Sequence, residues 1–209
     1  MEVNDETAIY ALIHKKPAGF LFVFTGPSGA GKSTICRAIL ADDPSIRFSV
    51  SHTTRRPRPD EVDGRDYFFV SEERFGSMLK EGRFVEHATV HGHRYGTSRD
   101  QLEEKLRDGD VLLDVDVQGA SQLRMRYPAA TSVFILPPSI EELRARLIAR
   151  KYNAPADIER RLAQARIEIR AAVDFDYFVV NDRLEDAVGA AKCIIAAERR
   201  RLSRRLPGP

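Results

Sequence analysis

A glycine-rich octapeptide, set between an apolar segment and a helical one, restricts the fold of this chain more than any other feature. Residues 26–33 are Gly-Pro-Ser-Gly-Ala-Gly-Lys-Ser and match the pattern G-x-x-x-x-G-K-[ST] at every position. The preceding run Phe20–Thr25 is typical of a strand buried on both faces, and Ile35, Ala38 and Ile39 follow at helical spacing. A strand, a glycine loop and a helix in this order predict a phosphate-binding P-loop. The alternative is a glycine-rich turn that contains a lysine by chance.

The chemistry expected of this loop is the binding of a nucleoside triphosphate. Glycines let the backbone approach an anion closely, and its N–H groups and the positive end of the next helix then face the phosphates. Lys32 would reach the β- and γ-phosphates, while the hydroxyl of Ser33 would ligate Mg²⁺. The ATP-binding residues predicted here are Gly26, Pro27, Ser28, Gly29, Ala30, Gly31, Lys32, Ser33 and Thr34.

Composition predicts one globular domain and argues against several classes of protein. The chain has 209 residues and a net charge of only +2, so its overall charge does not favour nucleic acid as a partner. No stretch has the length and apolarity of a signal peptide core or of a membrane span, so a cytoplasmic location without membrane attachment is expected. Cys36 and Cys193 are expected to be buried in helices rather than to form a disulfide or a zinc site.

Apolar segments separated by helical patterns predict an α/β fold in which helices cover both faces of a mostly parallel sheet. The strands expected in this sheet are Phe20–Thr25, Val111–Val115, Ser132–Leu136 and Tyr177–Val180. The expected helices are Gly31–Ala41, Arg99–Arg107, Ile140–Arg150, Ala156–Ala172 and Arg183–Leu206.

Two segments interrupt this alternation of strands and helices. Residues 47–97 are expected to form a small β-rich insertion, with short strands at Arg47–Ser51, Tyr67–Val70 and Phe84–Val90 and one helix at Glu72–Lys80. The stretch Ser139–Arg170 follows two prolines that end a strand, and its sequence is helical and basic.

Several polar residues of the insertion are candidates for binding a second substrate. Arg55 and Arg58 flank Pro57, and two guanidinium groups held close together suit a monophosphate. Tyr67 and Tyr95 could complete such a site with their hydroxyls. Glu86 places a charge in an otherwise apolar strand. Taken singly, these features are also compatible with a solvated arginine loop, tyrosines that cap a core and a glutamate that faces water.

Asp114 and Asp116 follow a buried strand, and Asp114 is a candidate for the metal site. Asp114 suits the acid that holds Mg²⁺ opposite a P-loop, because ligands of open α/β sheets bind at the carboxyl ends of the strands. The alternative is an aspartate-rich turn. The spacing of His87, His91 and His93 matches no zinc site.

The chain resembles the guanylate kinases from Phe20 to about Arg200. The motifs responsible are Gly26–Ser33, Ser51–Arg58, Gly64–Tyr67, Phe84–Glu86, Tyr95–Thr97, Leu113–Gly119, Ile135–Pro138 and Val180–Asp182. The resemblance implies a three-layer P-loop NTPase fold in a single domain, residues 1–209. It also implies a core of residues 18–50, 98–138 and 171–209, a GMP-binding insertion of residues 51–97 and a helical lid of residues 139–170.

The resemblance also implies a reaction, ATP and GMP giving ADP and GDP, with dGMP as a further acceptor and a role in purine nucleotide metabolism and GMP recycling. Arg55, Arg58, Tyr67 and Tyr95 would hold the acceptor phosphate, Ser51, Glu86 and Thr97 would recognise guanine, and Asp116 would lie nearby. A carboxylate at Glu86 can accept from N1–H and the amino group of guanine, whereas adenine offers an unprotonated N1. Ser33 and Asp114 would be the metal ligands, and Asn181 is the candidate for the adenine pocket.

The predicted lid would supply arginines that neutralise the transferred phosphoryl group together with Lys32. By resemblance these are Arg146, Arg150 and Arg161, although most arginines of a charged helix only face solvent. The chain departs from many relatives here, because Ala149–Tyr152 replaces a glycine-rich turn. Two other functions remain at this stage: a scaffold domain that binds peptides without catalysis, and a P-loop kinase for a sugar phosphate. Either a monomer or a homodimer is compatible with the sequence.

Overall fold

The computed structural model describes residues 19–149 and 155–201. In chain order, the strands and helices are β1 (Leu21–Thr25), α1 (Lys32–Asp42), β2 (Ile46–Phe48), β3 (His52–Thr53), β4 (Phe68–Phe69), α2 (Glu72–Lys80), β5 (Phe84–Val90), β6 (His93–Ser98), α3 (Arg99–Asp108), β7 (Asp110–Asp114), α4 (Val117–Arg126), β8 (Thr131–Leu136), α5 (Ile140–Ala149), α6 (Pro155–Arg170), β9 (Tyr177–Val180) and α7 (Leu184–Glu198). A 3₁₀ turn, Ala171–Asp174, follows α6.

A five-stranded sheet with the order β2-β7-β1-β8-β9 forms the centre of the molecule, and all of its neighbouring strands are parallel. Every residue of β1 is buried, since its alternating side chains enter two separate cores. Phe22 and Phe24 pack with α1 and α7 on one face, whereas Leu21 and Val23 pack with α3 and α4 on the other. Helices therefore cover both faces of the sheet, which confirms the three-layer fold predicted from the sequence.

A second sheet, with the order β4-β3-β6-β5, lies within the region predicted as a β-rich insertion. Strands β5 and β6 form an antiparallel hairpin whose turn is His91-Gly92, with φ values of 50° and 82°. Helix α2 packs on this sheet through Phe75 and Met78, which contact Phe84 of β5. This small core is distinct from those of the parallel sheet, and β5 lies at one edge of the second sheet.

Helices α5 and α6 form a helical unit around a small apolar core of Leu143, Leu147, Ile158 and Leu162. Arg146 belongs to α5 and Arg161 to α6, whereas Arg150 lies outside the described residues. No helix in the described part of the chain combines the length and apolarity needed to cross a bilayer.

Several local predictions require correction. The segment predicted as strand Arg47–Ser51 of the insertion forms β2 (Ile46–Phe48) and pairs with β7 in the core sheet. Strand β6 was not predicted because His-Arg-Tyr-Gly-Thr-Ser shows no apolar alternation. Helix α4 was not predicted either, since Gly119 and its scattered apolar residues weaken the helical pattern.

Two further predictions were wrong in detail. Cys36 is buried as expected, but Cys193 is exposed, because it lies on the outer face of α7. Helix α7 was predicted to extend to Leu206 but ends at Glu198. The residues after 201 lie outside the described part of the chain.

Candidate active site

A cavity opens at the carboxyl ends of the central strands, where β1 and β7 lead into loops. The glycine loop, the second sheet and α6 all contribute residues to its lining. The predicted site residues that line this cavity are Gly26, Ser28, Gly29, Gly31, Lys32, Ser33, Thr34, Ser51, Arg58, Tyr67, Glu86, Tyr95, Asp114, Asp116 and Arg161. The fold thus brings together residues that are far apart in the sequence.

The glycine loop is held in its shape by contacts that exclude other side chains. Gly31 has a φ of 93°, and a Cβ atom there would lie 2.1 Å from Nδ2 of Asn181. That amide donates a hydrogen bond of 2.7 Å to the carbonyl of Ala30. Gly31 is also the N-cap of α1 and contributes no side-chain hydrogen bond, so the first N–H groups of the helix remain directed toward the cavity.

Lys32 folds back over the loop. Its Nζ donates to the carbonyl oxygens of Gly26 and Pro27, at 2.7 and 3.3 Å. The ammonium group is therefore held at the mouth of the loop, where it is placed to meet a phosphate oxygen.

Ser33 and Asp114 meet at the side of the cavity formed by β1 and β7. Asp114 is paired with Phe24 in the parallel register, and the hydroxyl of Ser33 donates to Oδ2 of Asp114 at 2.5 Å. A hydroxyl and a carboxylate are the hard oxygen ligands that Mg²⁺ prefers, and this ion commonly takes its remaining ligands from phosphates and water. The described residues contain no cluster of three or more His, Cys, Asp or Glu side chains suited to a metal. These two residues fit a divalent cation that is shared with a nucleotide.

The two arginines of the insertion are organised by a glutamate that the sequence analysis did not identify. Oε1 of Glu61 accepts from Nη2 of Arg55 at 2.8 Å, and Oε2 accepts from the backbone N–H of Arg58 at 2.8 Å. Burial raises the pKa of Glu61, but these hydrogen bonds outweigh it and hold the pKa below its ordinary value. The detectable signal was an acidic residue three positions after Arg58, a spacing that favours a local turn.

Both predicted tyrosines lie beside Arg55. Its Nε donates to the hydroxyl oxygen of Tyr95 at 3.3 Å, and its guanidinium lies 5.4 Å from the centre of the Tyr67 ring. Burial raises the pKa of Tyr67 far above its ordinary value, so its hydroxyl stays protonated and can donate a hydrogen bond. Of this group, Arg58, Tyr67 and Tyr95 line the cavity and Arg55 lies behind them.

Glu86 is the most deeply buried carboxylate of the cavity, with 2% of its surface exposed. It faces Thr97 across the β5–β6 pair, and the Thr97 hydroxyl donates to its Oε1 at 2.6 Å. The hydroxyl oxygen of Ser51 lies 3.4 Å from that of Thr97, so the three residues form one polar group. Burial raises the pKa of Glu86 to about 7; the Thr97 hydrogen bond opposes this rise and the nearby Asp116 adds to it.

Helix α6 contributes a polar face that was only partly predicted. Arg161 lines the cavity together with Gln164 and Glu168, which lie three and seven residues further along the helix. That spacing puts all three on one face, a signal present in the sequence but obscured by the many charges of α6. Burial raises the pKa of Glu168. His91, at the turn of the β5–β6 hairpin, and the apolar residues Val90 and Val115 complete the lining and were not predicted as site residues.

The family model for guanylate kinase matches residues 19–198 of this chain. The chain belongs to the guanylate kinase family. It is 51% identical over 190 residues to the guanylate kinase of Symbiobacterium thermophilum, an alignment that covers 90% of both chains. The guanylate kinase of Coxiella burnetii is 51% identical over 180 residues, which cover 86% of this chain and 87% of that protein. The crystal structure of guanylate kinase from Anaplasma phagocytophilum superimposes with a TM-score of 0.76 at 34% identity and covers 90% of each chain.

Membership of the guanylate kinase family makes the protein a nucleoside monophosphate kinase and confirms the resemblance inferred from its motifs. Members of the family transfer a phosphoryl group from ATP to GMP, and such kinases generally require a divalent metal. The scaffold and sugar phosphate alternatives are not supported by these matches.

Some predicted residues lie beside the cavity rather than in its lining. Arg146 donates from Nε to Oε1 of Glu142 at 2.8 Å and from Nη2 to the carbonyl of Asn181 at 2.9 Å. Asn181 itself contacts the back of the glycine loop through Ala30, and Pro27 and Ala30 are loop residues that the lining does not include. Thr97 is also absent from the lining, although its hydroxyl bonds to the Glu86 carboxylate.

Proposed function

We propose that this cavity transfers the γ-phosphoryl group of Mg²⁺-bound ATP to GMP, giving ADP and GDP, and that it also accepts dGMP. ATP would bind on the side of the glycine loop and GMP on the side of the second sheet. The observation that most strongly supports this division is the buried carboxylate of Glu86, which lines the same cavity as Lys32 but belongs to the second sheet. Such a carboxylate can accept hydrogen bonds from the N1–H and the 2-amino group of guanine, which lie side by side.

On the donor side, the backbone of Gly26–Thr34 would surround the β- and γ-phosphates and Lys32 would neutralise them. Asn181 would contribute to ATP binding indirectly, because its amide supports the carbonyl of Ala30 under the loop. This role replaces a direct contact with adenine as the function we infer for Asn181.

On the acceptor side, we assign the phosphate of GMP to Arg55, Arg58, Tyr67 and Tyr95, and guanine to Ser51, Glu86, Thr97 and Asp116. The Glu61 carboxylate would keep the arginines in place, since it contacts both. Fork-shaped guanidinium groups and protonated phenols are suitable donors for phosphate oxygens. The attacking oxygen of GMP is already anionic at neutral pH, so no general base is required.

Ser33 and Asp114 would hold Mg²⁺, which would neutralise charge on the β- and γ-phosphates. We expect Asp114→Asn to raise the Mg²⁺ concentration needed for half-maximal activity about tenfold, because a neutral amide is a weaker ligand. A Mg²⁺ titration at saturating ATP and GMP measures this change. An unchanged midpoint would remove Asp114 from the metal site.

The arginines of residues 139–170 would complete the site when this segment approaches the nucleotides. Arg161 already lines the cavity, whereas Arg146 is held at its border by Glu142. We assign both to the stabilisation of charge on the transferred group, together with Arg150 and Lys32. Closure of this segment over residues 51–97 would exclude water as a competing acceptor.

A panel of acceptors tests the proposed reaction. ADP formation from Mg·ATP is measured with GMP, dGMP, IMP, AMP and a sugar phosphate. GMP should be the best substrate, IMP should be weaker because it lacks the 2-amino group, and AMP should be rejected. Equal turnover of GMP and AMP would contradict the guanine assignment.

Glu86→Gln tests the residue on which the assignment depends. The substitution should raise the KM for GMP about 10–100-fold, because a charge-assisted acceptor is lost and an amide donor faces a guanine donor. The KM for ATP in the same variant serves as the internal control and should change less than about twofold. A parallel rise in both values would make Glu86 a structural residue.

A further inference from the structure

Helix α4 bonds to the open edge of the strand that contains Glu86. Strand β5 lies at the end of the second sheet, so β6 satisfies only one of its edges. On the other edge, Nε2 of Gln122 donates to the carbonyl of His87 at 2.7 Å, and Oε1 of Gln122 accepts from the N–H of His87 at 3.1 Å. One side-chain amide thus replaces the pair of hydrogen bonds that a neighbouring strand would make.

Arg126 of the same helix bonds to the part of β5 that precedes Glu86. Its Nη1 donates to the carbonyl of Phe84 at 3.0 Å and also to the carbonyl of Val85. The register of β5 against β6 shifts between Phe84 and Glu86, so the ladder is irregular at this point. Because Arg126 and Gln122 bond to the residues before and after Glu86, they hold the backbone where the ladder alone does not.

The first turn of the same helix contacts the carboxylate itself. A Cβ atom on Gly119 would lie only 2.4 Å from Oε2 of Glu86, so the carboxylate packs directly against the helix. Asp116 caps this turn by accepting from the N–H of Gly119 at 2.9 Å. Helix α4 therefore contacts both the backbone and the side chain of the Glu86 position.

We propose that Gln122 and Arg126 are positioning residues for the nucleotide acceptor, which hold β5 so that Glu86 meets the guanine base; this inference rests on the proposed guanine contact of Glu86. Neither side chain lines the cavity, so both act through the strand. Because α4 begins three residues after Asp114, the same helix links the position of the guanine site to that of the metal site.

Arg126 has a second effect through its charge. The ionised and polar groups that act on Glu86 are Asp116 and Arg126 from α4 and the Thr97 hydroxyl from β6. Burial and Asp116 raise the pKa of Glu86, whereas the Thr97 hydrogen bond and the Arg126 guanidinium lower it. Arg126 therefore favours the ionised form that accepts from guanine.

Steady-state kinetics of Gln122→Leu and Arg126→Gln test the inference. Each substitution should raise the KM for GMP about five- to tenfold and leave the KM for ATP within about twofold, because the hydrogen bonds lost fix only the acceptor side. Gln122→Glu is a second, nearly isosteric variant that puts an oxygen against the carbonyl of His87; it should raise the same KM. Arg124→Gln is the matched control, since this arginine of α4 lies over the ring of Phe175 and not against β5.

The pH dependence separates positioning from a general loss of stability. In Arg126→Gln, the pH midpoint for the KM of GMP should move upward, whereas Gln122→Leu should leave it in place. Arg126→Lys, which keeps the charge, should restore the midpoint.

Equal rises in both KM values, an unchanged KM for GMP, or the same effect in Arg124→Gln would overturn the inference. Glu86→Gln is measured in parallel: if it leaves the KM for GMP unchanged, the guanine contact itself fails, whereas an effect there but none in the α4 variants contradicts only the positioning role.

Discussion

At the scale of single residues, the ionisation of Glu86 links its burial to substrate binding. A carboxylate with 2% exposure is unfavourable as an anion, and burial raises its pKa to about 7. Guanine offers two N–H donors, so binding requires the ionised form. The same burial that discriminates among bases therefore makes the affinity for GMP depend on pH near neutrality.

We expect the KM for GMP to fall about tenfold between pH 6 and pH 8, as Glu86 loses its proton around its pKa of about 7. The direction follows from the raised pKa: protonated Glu86 predominates below the midpoint and cannot accept from both guanine donors. KM values measured across this range in the native protein give the midpoint.

Glu86→Gln provides the control for this pH profile, because the phosphate of GMP also titrates near pH 6. In this variant, the KM for GMP should still change with pH as the phosphate titrates, but the change caused by ionisation of Glu86 should be lost. A profile as steep in the variant as in the native protein would show that Glu86 does not determine it.

At the scale of secondary structure elements, the end of α7 is tied to two other elements through one arginine. Arg199 donates from Nε to Asp110 at 2.6 Å, from Nη1 to Asp43 at 2.7 Å and from Nη2 to the Ser45 hydroxyl at 3.0 Å. Asp110 begins β7 and Asp43 caps the end of α1. Because these groups are partly buried, the contact should contribute more to stability than an exposed ion pair does.

Arg199→Ala should lower the free energy of unfolding by about 2–3 kcal/mol, since it leaves two partly buried carboxylates without this cation. Denaturant unfolding followed by circular dichroism measures the loss. Lys192→Ala is the matched control: its pair with Asp42 is about half-exposed and should contribute less than about 1 kcal/mol. Equal losses in the two variants would mean that burial does not distinguish these pairs.

At the scale of the whole molecule, the site forms where the core sheet, the second sheet and α6 meet. The core sheet provides the glycine loop and Asp114, the second sheet provides Glu86, and α6 provides Arg161. The α5–α6 pair has its own apolar core, whereas Val85 of β5 packs in a core of the parallel sheet, so movement of α5 and α6 would change the cavity without disrupting the other cores.

We expect Arg161→Ala to lower kcat about 100-fold or more with a smaller effect on the KM for ATP, because arginines act mainly on charge that develops during phosphoryl transfer. Arg160→Ala is the control one residue away. Arg160 pairs with Asp157 on the outer face of α6, where its side chain is 63% exposed, and its loss should leave kcat within about twofold. A similar decrease in both variants would assign the effect to the helix rather than to the site.

Prediction from sequence succeeded where the signal is local. The glycine loop, the buried strands and α2 depend on spacing within a few residues, and their positions were predicted closely. It failed for β6, whose polar residues reveal a strand only when paired with β5, and for α4, whose helical pattern is weak. Glu61 was missed for a related reason, since its importance depends on two arginines that converge on it in three dimensions.

The sequence by itself determined the family, the central fold and the chemical types of the site residues, because these depend on motifs and on local periodicity. Only the tertiary structure decided which of those residues meet. Ser33 and Asp114 are 81 positions apart, and Ala30 and Asn181 are 151 apart, yet each pair is joined by a hydrogen bond. Such contacts depend on strand order and register and on the packing of helices between sheets. No short stretch of sequence specifies these features.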